Sequence, residues 1–233
     1  MPTIYANSAD GVINSGIQTG WADARDATSG TVSSTTGATE QDAISVYKFS
    51  GRGADQFRVH RSFFFFDTSA ITTTVSSATL KLRFLTTRQG SASAIVVAST
   101  AFGGDGGTAL ADGDFDALDF GTTYTSEINT SNTSTYTSIT LNATARSDMQ
   151  ANDVLIIALI NHAYDYNDDP PGDANTKVGV TFANQTGTST DPVIDYTAAA
   201  AGYGHKVIGV AAASISKVNT IATANIGKIN TVD

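Results

Sequence analysis

The chain has 233 residues, none of them Cys, with 13 Lys and Arg against 22 Asp and Glu for a net charge of -9. The lack of cysteine excludes disulfides, thiolate catalysis and cysteine-ligated zinc, and the acidity argues against nucleic acid as a primary partner. Apolar residues make up 41% and charged residues only 15%, so a core is available while Thr, Ser, Gly, Asn and Asp, residues of strands and turns, supply the polar share.

Residues 6–42 are turn-rich, with isolated apolar anchors at Val12, Ile13, Ile17 and Trp21, and read as a loop with short edge strands. AISVYKF (43–49) predicts a strand, and a GRGAD turn leads into QFRVHRSFFFFD (56–67). At period 2, Phe57, Val59, Phe63 and Phe65 share one face and Phe64 and Phe66 the other. Such a strand is either central and covered on both faces or lies under a docked partner, and Phe64 and Phe66 are expected to make packing or subunit contacts. ATLKLRFLT (78–86) alternates, with Ala78, Leu80, Leu82 and Phe84 inward and Thr79, Lys81 and Arg83 outward. SAIVVAS (93–99) predicts a further strand. The Gly- and Asp-rich 102–133 region should be the least regular part, a candidate to lie across a neighbouring subunit. Strands are predicted at 134–142, 153–161, 177–183 (Val178, Val180 and Phe182 inward) and 192–197, with a single helical turn at 144–150. The longest apolar run, VLIIALI (154–160), is too short to span a membrane. MPTIYANSADG lacks the basic and apolar regions of a signal peptide. Neither a membrane partner nor classical secretion is therefore expected.

About eight or nine short strands, and no convincing amphipathic helix of three turns, predict an all-β fold. The expected architecture is an antiparallel jelly-roll β-sandwich with a short C-terminal extension. Residues 1–198 would form the sandwich with an N-terminal loop-rich arm, and 199–233 a linker and assembly segment. From Lys206 the chain reads KVIGVAAASIS, KVNTIATANIG, KINTVD, an 11-residue repeat that aligns Lys206, Lys217 and Lys228. Gly209, Gly227, Asn219 and the β-branched residues favour extended structure over helix there. Val207, Val210, Ile215, Val218, Ile221, Ile226, Ile229 and Val232 form an apolar series suited to stacking on copies of itself or docking on another protein. Three-fold association is the most natural form, with a two-fold or a heterologous dock as the alternatives.

Catalytic signals are weak. His60, His162 and His205 are scattered without metal-ligand spacing, no GxSxG elbow is present, and no carboxylate pair stands out, so a non-enzymatic protein is expected. Two acidic loops offer candidate calcium ligands, Asp112, Asp114 and Asp116 in one and Asp165, Asp168 and Asp169 in the other, because clustered carboxylates suit a hard cation. Solvated loops held by Asx-turns are the plainer reading. Among the aromatics Trp21, Tyr124, Tyr136, Tyr164 and Tyr166, the pair Tyr164 and Tyr166 is the best candidate for a glycan platform, against ordinary loop anchoring.

Residues 61–197 resemble the DNRLRE-type jelly-roll domain, a relative of carbohydrate-binding modules. The resemblance rests on RSFFFFDTSAI (61–71), VSSATLKLRFL (75–85), TLNATARSDMQANDVLIIAL (140–159) and VTFANQTGTSTDPVIDYT (180–197). Met149 stands where that family commonly carries a Trp. ASISKVNTIA and ANIGKINTVD are similar to the "A-x-I-x-K-V-N-G-V-A" repeats near the ends of tailed-bacteriophage structural proteins, with Thr220 and Thr231 in place of Gly. The resemblance implies a virion component: a tail fibre, capsid decoration or neck protein made in the host cytoplasm. Its partners would be copies of itself and other virion proteins. The alternative it leaves is an adhesin module that recognises host surface glycans.

Overall fold

A computed structural model of the chain describes residues 1–34, 39–40, 42–90, 93–131, 135–172, 175–183, 187–199, 217–218 and 221–222. In chain order the elements are β1 (Thr3–Tyr5), β2 (Gly11–Asn14), α1 (Trp21–Arg25), β3 (Thr31–Ser34), β4 (Thr39–Glu40), β5 (Val46–Phe49), β6 (Gln56–Asp67), β7 (Val75–Leu82), β8 (Phe84–Gln89) and β9 (Ser93–Ser99). There follow β10 (Leu118–Thr123), β11 (Ile128–Asn129), β12 (Thr137–Thr140), α2 (Ala143–Ala151), β13 (Val154–Asn161), β14 (Lys177–Thr181), β15 (Val193–Ala198), β16 (Lys217–Val218) and β17 (Ile221–Ala222). Residues Met1–Thr197 form one compact unit and Ala198–Asp233 another.

The first unit is an all-β body of several antiparallel sheets. The largest has eight strands in the order β10-β9-β13-β6-β2-β3, with β11 also paired to β9 and β5 to β6. A four-stranded sheet runs β1-β15-β7-β12 and a three-stranded one β4-β14-β8. β6 organises the whole. Its twelve residues pair with β13 along Ser62–Asp67, with β2 along His60–Phe63 and with β5 along Gln56–Val59.

The alternation of β6 sorts two cores. Phe64 and Phe66 enter one with Leu80 and Leu82 of β7, Leu155, Ile157 and Leu159 of β13, and Val178 and Val180 of β14. Phe64 stacks on Phe182 with ring centroids 5.1 Å apart. Phe57, Val59, Phe63 and Phe65 enter the other, which Ala24 of α1 and Phe102, Leu110 and Phe115 close over. The strand is thus central and covered on both faces, as apolar residues at both parities require.

Several elements depart from the sequence expectation. The strand expected at 78–86 divides at Arg83: β7 belongs to the four-stranded sheet and β8 to the three-stranded one. The inward alternation survives the crossing, since Ala78, Leu80, Leu82 and Phe84 are all buried. The N-terminal segment is more structured than a loop, because β2 lies between β6 and β3 and α1 caps the second core. Within the 102–117 connection, Phe102, Leu110 and Phe115 pack into the second core, and Phe102 and Phe115 are fully buried. The helical turn expected at 144–150 extends to nine residues, and Asn142 caps it by accepting from the Ala145 amide. Met149 is buried among the first core.

In the second unit, β16 and β17 pair antiparallel, Lys217 with Ala222 and Val218 with Ile221. Val218 and Ile221 are therefore extended. The other expected assembly positions, Val207, Val210, Ile215, Ile226, Ile229 and Val232, lie outside the described residues, as does His205.

Candidate functional site

The two acidic loops meet at one place, around a pair of arginines. Arg61 points from the middle of β6 into the second core and is fully buried. Its Nε and Nη2 donate to the two carboxylate oxygens of Asp165 at 2.9 and 2.8 Å. The remaining bonds go to backbone oxygens, Nη1 to Phe115 at 2.9 Å and Nη2 to Arg25 at 2.6 Å. The Phe115 ring lies 4.2 Å from its guanidinium carbon. A buried charge survives only when paired and hydrogen-bonded, and this one has both.

Asp165 sits on a single π-helical turn, His162–Tyr166, that directly follows β13 and starts with Asn161 accepting from the Tyr164 amide. Arg25 reaches the same turn from α1, donating from Nε to the Asp165 carbonyl at 2.8 Å and standing 3.5 Å from Asp168. Its guanidinium covers the Phe120 ring at 4.3 Å. Asp168 also accepts from the Trp21 indole N–H at 2.9 Å. One network therefore ties β6, α1, the π turn and the 112–120 connection together.

Of the remaining calcium candidates, Asp112 and Asp114 accept from backbone amides. Asp112 is exposed and accepts from the Val32 amide, and Asp114 accepts from the amides of Phe102 and Ala111. Asp116 and Asp169 are exposed. Among the described residues, no three His, Cys, Asp or Glu side chains stand where they could hold a metal ion. The cation that joins the acidic loops here is a guanidinium.

The aromatic candidates divide between packing and surface. Tyr164 and Tyr166 are both half-buried, and Tyr166 stacks on His162 at 5.4 Å against the rim of the second core. Trp21 meets Phe57 edge-on at 5.9 Å. Tyr124 is buried and donates to Asp148 at 2.7 Å, and Tyr136 donates to the Asp191 carbonyl. These two, expected as available platform aromatics, are spent on structure. His162 Nδ1 lies 3.5 Å from Glu127 at the surface.

Sequence reasoning did not find the Arg61–Asp165 pair, since nothing local marks partners 104 residues apart. Nor did it find Asp10, which is fully buried. One Asp10 oxygen accepts from the Ala183 amide at 2.9 Å, while the other has no hydrogen-bond partner. Burial pushes its carboxyl up to about 7, the Ala183 bond opposing and Asp191 adding to the rise. A buried Asp at the end of the turn Asn7–Asp10, just ahead of β2, carries no sequence signature. An open cavity of about 600 Å³ beside α2 is lined by Ser99, Asp105, Tyr124, Asp148 and Asp153 among others.

No protein-family model matches the chain, and no curated protein matches it.

Proposed function

We propose that the chain is a non-enzymatic structural protein of a bacteriophage virion, with the β body as a jelly-roll sandwich displayed outward and the C-terminal unit as the attachment or oligomerisation element. The observation that carries this reading is the division of the chain at Thr197 into a large compact unit and a small separate one made of an 11-residue repeat. The β body completes both of its cores from its own residues, so it is suited to display without a partner to finish its fold. The tail carries Lys206, Lys217 and Lys228 against Asp233 alone, so the acidity of the chain resides in the body. A basic, apolar, repetitive tail on an acidic body favours tail-mediated contact, because like-charged bodies repel one another.

Deletion of 206–233 tests the reading by size-exclusion chromatography with light scattering, alongside attachment to purified particles. The full-length chain should self-associate or attach, and the truncated chain should remain folded and monomeric. A monomeric full-length chain whose truncated form still attaches would overturn it. If the truncated chain binds a glycan array, and Tyr164→Ala or Tyr166→Ala abolishes that binding, the adhesin reading replaces it.

A further inference from the structure

His60 is the one histidine in the β body that is sealed from water. It lies on β6 with 5% of its surface exposed, and neither Nδ1 nor Nε2 has a hydrogen-bond partner. The segment Asp42–Phe49 covers it. The His60 amide donates to the Ser45 carbonyl at 2.8 Å, and β5 continues along β6 from Val46 opposite Val59. Tyr47 of that segment packs edge-on to the imidazole at 5.7 Å.

The charged groups around the ring come from three elements. Arg58 lies two residues back on β6, its guanidinium 5.2 Å above the Tyr47 ring. Lys177 belongs to β14, and its Nζ sits 3.0 Å from Asp42. Asp42, which also accepts the Tyr47 hydroxyl at 2.5 Å, is the carboxylate that faces His60 among the described residues. On the β2 side the residue opposite is Asn14, which carries no charge. A neutral imidazole is compatible with this enclosure. An imidazolium would be buried with two unpaired donors, between two cations, with its one counter-anion already engaged by Tyr47 and Lys177.

We propose that His60 is an acid-operated latch on the segment Asp42–Phe49: once protonated, it draws Asp42 away from Tyr47 and Lys177, and the covering segment loosens from β6. Burial and Arg58 lower the His60 pKa to about 4, Asp42 pulling the other way. Burial raises the Asp42 carboxyl, but the hydrogen bonds from Tyr47 and Lys177 outweigh it and hold it below the ordinary value. Asp42 is the anion to which an imidazolium at His60 would be drawn. An unfolded histidine protonates near 6.5, so the unfolded chain binds the extra proton between about pH 6.5 and 4, and the stability His60 provides at neutral pH falls across that window.

The test uses the full chain. Histidine NMR titration should show the His60 imidazole holding neutral until about pH 4. Hydrogen-exchange protection factors, corrected for intrinsic pH dependence, should fall at least tenfold for Tyr47, which lies opposite Arg58 of β6, between pH 7 and 4, with β13 unchanged. His60→Phe keeps a buried ring without a titrating group and should abolish that local loss. A His60 imidazole that takes its proton at about pH 6.5 would overturn the proposal, as would unchanged protection at Tyr47 or the same acid response in His60→Phe. Should His60→Phe fail to fold, the titration and exchange on the unaltered chain decide the matter.

Discussion

Arg61 remains buried because four donor bonds and an aromatic face take the place of its water. Removing one partner strands the other, so Arg61→Met or Asp165→Asn should each destabilise by about 3–5 kcal/mol. The double replacement Arg61→Met, Asp165→Leu should cost much less than the sum, because no uncompensated charge is left behind. Urea denaturation of the three variants measures this, and additive losses would show that the pair does not act as a unit. Asp10 gives a pH-dependent counterpart. Its folded pKa of about 7 lies above the ordinary 3.8, so the folded state binds the extra proton. The stability it contributes is present below about pH 4 and is lost as pH rises towards 7. Asp10→Asn, whose amide oxygen can still accept from Ala183, should flatten that part of the profile. It should gain on the parent by on the order of 2–4 kcal/mol between pH 4 and 8. His60 slopes the opposite way in an overlapping interval, so the two contributions oppose one another and each single variant tilts the profile.

How legible an element was depended on whether its signal is local. β6 was readable because period 2 places Phe57, Val59, Phe63 and Phe65 on one face and Phe64 and Phe66 on the other, and burial follows that sorting. β9 was readable because a short apolar run sits between turn residues, and its bounds match those expected. α1 was not, since five residues opened by Gly20 without a side-chain cap offer no period and no cap signal. It is a helix because Ala24 and Trp21 find the second core, which is a tertiary cause. The 102–117 connection reads as irregular from its glycines, yet Phe102, Leu110 and Phe115 make it a lid on the large sheet. Of the candidate site, the two acidic loops were legible as clusters, but the buried arginine that joins them was not. The lid's backbone supplies a test. Gly106 has φ +75°, and a Cβ there would lie 3.0 Å from the Phe65 ring. Gly106→Ala should therefore cost at least 1 kcal/mol through the left-handed backbone alone, more if Phe65 cannot yield. At α2, Asn142→Ala removes the cap on the Ala145 amide and should cost about 1 kcal/mol. Thermal melts of both variants read these losses.

At the scale of the molecule, the first strand of the β body pairs with β15, near the end of the same unit, at the edge of the four-stranded sheet. Thr3, Ile4 and Tyr5 of β1 lie opposite Asp195, Ile194 and Val193 of β15. The seam is reinforced by the Thr3 hydroxyl donating to Asp195 at 2.6 Å and the Tyr196 amide donating to the Pro2 carbonyl at 3.1 Å. Lys81 of the neighbouring β7 adds an ion pair to Asp195 at 2.6 Å. Asp195 is held below the ordinary carboxylate range by Lys81 first and Thr3 second. These contacts span the length of the unit, so forming them carries a large loop-closure cost, and folding should be slow for the size of the chain. The two ends of the chain should consequently respond differently to truncation. Removing residues 1–6 strips β1 from the edge of the four-stranded sheet, bares the backbone of β15 and removes Ile4 and Ala6 from the first core. That should lower the melting temperature by several degrees and speed unfolding. Cutting after Ala198 leaves every β1–β15 contact in place and removes only the second compact unit, so the melting temperature of the body should hold within experimental error. Calorimetry on the two truncations against the full chain distinguishes the cases. An equal loss from both cuts would mean that the tail takes part in the stability of the body, and the view of two separable units would fail.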